Sequence, residues 1–132
     1  MAKEYTYMGK TLHELQALSL EDFAKVTTAS ARRSIVRGLD KQMLGKITDA
    51  HTQVKAGKQP KPIRTHLRHF VIVPQMVGLK FQIYKGNSFE NLDIQPEMMG
   101  HRLGEYVLTR KQVKHGKAGI GSTKSSSAVT AK

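Results

Sequence analysis

The chain has 132 residues and carries 22 Lys and Arg against 10 Asp and Glu, a formal charge of +12 that repels itself unless a polyanion neutralises it. That length allows one domain with one modest core, and the absence of cysteine excludes disulfide frameworks, thiolate zinc sites, iron-sulfur clusters and a cysteine nucleophile. No run approaches the roughly 18 apolar residues of a spanning helix, and the start Met1-Ala-Lys-Glu-Tyr5 lacks the apolar stretch of a signal peptide, so a cytoplasmic protein with no membrane partner is expected.

Thr11-Leu-His-Glu14 has the spacing of a capping box, which predicts a short helix carrying Leu12, Leu15 and Leu18. Ser19-Leu-Glu-Asp22 repeats the pattern with Asp for Glu and opens a second short helix with Phe23 and Val26 as apolar contacts. From about Ser30 to Lys55, Val36, Leu39, Met43, Ile47, Ala50 and Val54 recur at steps of three and four, the stripe of one long helix. Arg32, Arg33, Arg37, Lys41 and Lys46 fall largely off that stripe, as a solvated face or an RNA-facing one. Gly38 and Gly45 each weaken such a helix by roughly 1 kcal/mol relative to Ala.

Gly57-Lys-Gln-Pro-Lys-Pro62 ends the helical region, since two prolines remove backbone donors and favour extended chain. Phe70-Val-Ile-Val73 reads as a first short strand closed by Pro74. Leu79 to Lys85 alternates, with Leu79, Phe81 and Ile83 on one side and Lys80, Gln82 and Tyr84 on the other, as in a half-buried strand. Gly86-Asn87 offers the positive φ angles of a reversal, and Phe89 to Ile94 returns as an antiparallel partner. Pro96-Glu-Met-Met-Gly100 encodes a single helical turn. Residues 110–132 hold six Lys or Arg and no acid, with Gly116, Gly119, Gly121 and the run Ser122-Thr-Lys-Ser-Ser-Ser127: a basic, flexible tail that cannot bury enough apolar surface to order itself.

The expected architecture is therefore α+β: N-terminal helices, a small antiparallel sheet of about three strands, and a basic flexible C-terminal tail. Residues 1–60 form a helical region packed on the same domain, 61–112 the α+β core and 113–132 the tail. Residues 61–132 carry twelve basic and four acidic side chains, so most of the excess charge lies in the second half. Composition and pattern lead to a nucleic-acid binder with a cationic arm.

The segment from Lys85-Gly86-Asn87 to Thr109-Arg110 resembles the signature of the small-subunit ribosomal protein nineteen family. Gly86 and Asn87 begin it, Ile94 and Met99-Gly100 stand in its middle, and Leu103-Gly104-Glu105-Tyr106 leads into Thr109-Arg110. Upstream, Pro62-Ile-Arg-Thr-His66 and Ile72-Val-Pro-Gln-Met-Val-Gly78 are also similar, so the likeness covers roughly residues 60–116. The helical N-terminal region resembles the longer archaeal and eukaryotic branch. Lys85 departs from the small polar or amide residue the family prefers there, and His66 to His69 lacks the aromatic and basic run of bacterial members. The resemblance implies a structural constituent of the small ribosomal subunit, active in translation. It further implies a domain in the head of that subunit bound to its rRNA, with ribosomal protein thirteen of the small subunit as a neighbour and a C-terminal tail reaching toward tRNA.

Phosphate and ribose contacts need positive charge or a donor on an accessible segment. Arg64, Thr65, His66 and Arg68 precede the first expected strand, and Lys80, Tyr84, Lys85 and Asn87 lie on the second and its turn. His101, Arg102, Thr109, Arg110, Lys111, Lys114, His115 and Lys117 lead into the tail. Glu105, an acid among these cations, reads as an internal partner for a neighbouring Arg. His66 and His69 alone do not make a zinc site, and no metal or cofactor is expected. The tail glycines lack the strand, helix and spacing of a phosphate-cradling loop, and no acids pair for acid and base work, so no catalytic residue is assigned and the chain is not read as an enzyme. A DNA-binding architectural protein is the alternative from charge alone, although no helix-turn-helix or basic zipper is present. A protein-interaction role for the N-terminal helices is compatible with either.

Overall fold

The computed structural model describes residues 4–114. Strands β1 (Thr6–Tyr7) and β2 (Lys10–Thr11) pair antiparallel across Met8 and Gly9, whose φ angles of 49° and 77° are the two positive values that a tight hairpin turn needs. The capping box then forms as its spacing predicts: the Thr11 N–H donates to Glu14 Oε2 at 2.9 Å, and the Glu14 N–H donates to Thr11 Oγ1 at 3.4 Å. It opens α1 (Leu12–Ala17). Ser19 likewise accepts from the Asp22 N–H at the start of α2 (Leu20–Val26), which buries Phe23 and Ala24.

The single long helix expected from Ser30 to Lys55 is two helices. Helix α3 (Ala29–Arg37) stops at Gly38, which takes a φ of 101°, and α4 (Lys41–Lys55) starts anew at Asp40, whose Oδ1 accepts the Met43 N–H at 2.8 Å. A break at Gly followed by an Asp cap satisfies the free amides of the second helix better than forcing Gly38 through a continuous one. The break also alters the stripe: Met43, Ile47 and Ala50 are buried, whereas Val36 is 76% exposed and Val54 49% exposed.

Strands β3 (Ile63–Thr65), β4 (Lys80–Tyr84) and β5 (Phe89–Asp93) form a sheet in that order. Three strands and the returning hairpin agree with the sequence, but the sheet is mixed rather than antiparallel, because β3 runs parallel to β4. Residues 66–79 supply the crossover of about a dozen or more residues that a parallel pair requires. Phe70-Val-Ile-Val73, expected as a strand, lies within that crossover. It is extended and fully buried, and it joins the segment after Gly100 through one antiparallel bridge, Val71 with Arg102, flanked by Ile72 N–H to His101 O at 2.8 Å and Leu103 N–H to Phe70 O at 3.1 Å. Its run of four buried apolar side chains is that of a chain covered on both sides, not of a half-exposed strand.

One core cluster gathers Leu15, Phe23, Ile35, Met43 and Ile47 from the helices with Ile63, Phe81 and Ile83 from the inner sheet face and Phe70, Ile72, Leu103 and Val107 from the later segments. Gly100 makes a close joint there. Its φ is 80°, and a Cβ would stand 2.5 Å from Tyr7 Oη, which itself bonds Thr27 Oγ1 at 3.1 Å. The β1–β2 hairpin is thereby seated against the Met99-Gly100 turn.

Candidate nucleic-acid interface

Alternation fixes which side chains leave the core. Opposite the buried Ile63, Phe81 and Ile83, the outer face of the sheet presents Arg64 from β3, Lys80, Gln82 and Tyr84 from β4, and Phe89, Asn91 and Asp93 from β5. Gln82 Nε2 donates to Asn91 Oδ1 at 3.0 Å, and Lys80 stands across from Asp93. His66, just beyond β3, joins Tyr84 and Phe89, with ring centroids 4.6 Å and 5.0 Å away. The Arg64 guanidinium lies 3.8 Å from the Phe89 ring centroid, a cation over an aromatic face.

At the sheet edge, Lys85, Gly86, Asn87 and Ser88 of the β4–β5 turn face Leu108, Thr109, Arg110 and Lys111 across an open groove of about 440 Å³. Two groups of candidate residues far apart in sequence thus share one basic wall. Gly86 adopts the positive φ of the turn, 109°, whereas Asn87 does not. Glu90 is the acid at this groove, with Lys85 Nζ 3.4 Å from its Oε2. Lys114 is exposed just beyond. His115 and Lys117, with the rest of the tail, lie outside the described residues.

Three of the candidates are used inside the fold. Thr65 is buried, and its Oγ1 accepts the Leu67 N–H at 3.0 Å. The Arg68 guanidinium donates to the carbonyls of Tyr84 at 2.8 Å, Gly104 at 2.8 Å and Val107 at 2.5 Å, so it ties the end of β4 to the C-terminal segment. Arg102 donates to His69 O at 2.7 Å and to Ser34 Oγ at 3.0 Å, fastening the same segment to α3. In sequence each is an Arg beside other cations, and only the fold reveals that these two brace carbonyls.

Glu105 is an internal partner as expected, but its side chain does not take an Arg guanidinium. Its Oε2 pairs with His101 Nδ1 at 2.8 Å, and its Oε1 accepts the Arg102 backbone N–H at 3.3 Å. Burial, together with the Glu105 charge, raises the pKa of the neighbouring Tyr106 phenol above its ordinary value.

A second basic groove was not legible in the sequence. Lys46 and Asp49 of α4, Lys58 and Lys61 of the following loop and Arg64 of β3 line about 580 Å³ of open space. The signal available was Lys58-Gln-Pro-Lys61-Pro, an extended stretch that returns beside the helix just ended. Among the described residues no group of three or more His, Asp or Glu is placed to hold a metal, and His66 is occupied by its aromatic neighbours. Also among them, no helix is long and apolar enough to cross a membrane.

The family described as ribosomal protein S19 matches residues 33–115. The chain is 47% identical over 129 residues to the small ribosomal subunit protein uS19 of Halobacterium salinarum, in each of two strains, covering 98% of this chain and 92% of the relative. It is 45% identical over 130 residues to the protein of the same name from Halorubrum lacusprofundi, again covering 98% and 92%.

Proposed function

The chain belongs to the ribosomal protein S19 family, in its archaeal-type branch, and from that premise we propose how its surface serves the small ribosomal subunit. It is a structural constituent of that subunit and not an enzyme, and it associates there with rRNA and other ribosomal proteins. The DNA-binding alternative gives way to this assignment.

Our reading is that small-subunit rRNA of the head lies along the edge groove and the open sheet face. The observation that carries it is the meeting of Lys85 and Asn87 with Thr109, Arg110 and Lys111 in one groove. Lys and Arg there neutralise phosphate, while the Asn and Thr side chains and turn amides supply neutral donors to phosphate or ribose. Arg64, His66, Lys80, Tyr84 and Lys114 extend the surface, and His101, paired with Glu105 beside Tyr7 and Ser30, is proposed as a separate RNA contact. We assign Thr65, Arg68 and Arg102 to holding it in shape.

Ribosomal protein thirteen is the proposed protein neighbour, and the site of action is the cytoplasm. From sequence alone the cationic stretch that contains His115 and Lys117 is proposed to reach toward tRNA. Binding to a small-subunit rRNA transcript over a salt series tests the groove. Replacing Arg110 and Lys111 together by Ala is expected to lower affinity and to flatten the salt slope by about 1 to 2. An unchanged slope would remove the groove from the interface.

A further inference from the structure

We propose that the outer face of the β3–β4–β5 sheet stacks one unpaired RNA base on the exposed His66 ring, which Tyr84 and Phe89 buttress, with Arg64 gripping the adjoining phosphate. The inference rests on the rRNA-binding reading above and adds a base to a surface otherwise assigned to phosphate and ribose.

The register places the rings. Tyr84 and Phe89 are directly opposed across β4 and β5, and His66 follows Thr65, the partner of Ile83, so it falls beside Tyr84. Strands β4 and β5 and the residue just past β3 therefore contribute one ring each to a row at the same end of the sheet. These rings are not what closes the core, because Ile63, Phe81 and Ile83 on the inner face do that. They stand on the side facing solvent, with His66 exposed and Tyr84 and Phe89 half-buried.

Their mutual geometry leaves a contact unmade. The three pairs meet at interplanar angles of 49°, 78° and 54°, all tilted or edge-on, so no pair is a parallel stack. A flat base can supply a parallel contact to one of them, and His66 is the exposed ring. Arg64 supports the same ligand. Its guanidinium covers Phe89 at 3.8 Å, and among the described residues none of its donors is hydrogen-bonded, in contrast to Arg68 and Arg102. A guanidinium held flat against a ring keeps its edge donors available for a phosphate oxygen, which gains from the charge where an apolar protein surface would have to desolvate it. Base stacking on an aromatic side chain tolerates any base, since each has a π face.

The test uses the full chain and two single-stranded RNA oligonucleotides of equal length, oligo(A) and one with abasic positions, which share a phosphate backbone and differ only in bases. Oligo(A) is expected to bind about tenfold tighter. His66→Gln should shrink that ratio toward one without changing the salt slope, while His66→Phe should keep it. His66→Phe keeps the ring contacts and should melt like the wild type, while His66→Gln loses them at an exposed position and should melt only a few degrees lower, still folded at the assay temperature; a circular dichroism melt checks both. Equal binding of the two oligonucleotides by the wild type, or an undiminished ratio in a folded His66→Gln, would overturn stacking. Failure of the wild type to bind a small-subunit rRNA transcript would instead overturn the reading on which the inference rests.

Discussion

Arg68→Ala separates a brace from an RNA contact. The guanidinium holds three carbonyls, those of Tyr84, Gly104 and Val107, at 2.8, 2.8 and 2.5 Å, and the Gly104 N–H returns a bond of 2.8 Å to the Arg68 carbonyl. Hydrogen bonds to a charged group contribute about 1.5–3 kcal/mol each, but bonds sharing one half-exposed guanidinium do not add, because water reaches part of the vacated site. A loss of about 3 kcal/mol is expected, or roughly 12 °C in melting temperature for a domain of this size. Arg68→Lys should recover about 1 kcal/mol, since an ammonium is a point charge without the planar fork that spans separate carbonyls. Urea unfolding followed by circular dichroism gives the stabilities, and RNA affinity is then compared under conditions where all variants are folded. If Arg68→Ala kept its stability within about 0.5 kcal/mol while losing RNA affinity in a salt-dependent way, the brace would be wrong and Arg68 would be a phosphate contact.

Gly100→Ala should destabilise by about 2 kcal/mol, from the positive φ and from the collision with Tyr7 Oη, and Tyr7→Phe in the same chain should recover part of that loss in a double-mutant cycle. Gly38→Ala strains a φ of 101°, so its melting temperature should fall even though Ala is the better helix former; a rise would mean that α3 and α4 fuse at little cost. The Glu14 carboxyl is held below its usual pKa first by the Thr11 backbone N–H, and that of Asp22 first by the Lys25 ammonium. Carboxylates depressed in the folded state stabilise it above their unfolded pKa, and that contribution is lost as pH falls through the folded value. Melting temperature should therefore drop as pH falls below about 4, and less so in a Glu14→Gln, Asp22→Asn double variant.

Local chemistry was legible in the sequence where a motif satisfies its own backbone. The Thr11–Glu14 box, the Ser19 cap and the β4–β5 hairpin formed where their residues place them, because each closes within a few residues. The break at Gly38 to Asp40 was hidden because Leu39 and Met43 continue the apolar stripe across it, although a Gly followed by a capping Asp is itself a stop and a start. Strand β3 carries only three residues after two prolines, and nothing local says that its partner lies beyond a buried crossover. Candidate cations divided on similar grounds. Arg110 and Lys111 line the open groove, whereas Arg68 and Arg102 turn inward onto carbonyls supplied by segments distant in sequence.

The most direct measurement is sedimentation of a lysate from the source cells, with the protein followed through small-subunit fractions before and after a high-salt wash. A resident constituent co-sediments at one copy per small subunit and survives the wash, because shape-dependent contacts outlast screened charge. Recovery of the protein free, or on chromosomal DNA, with none on the small subunit would contradict the account.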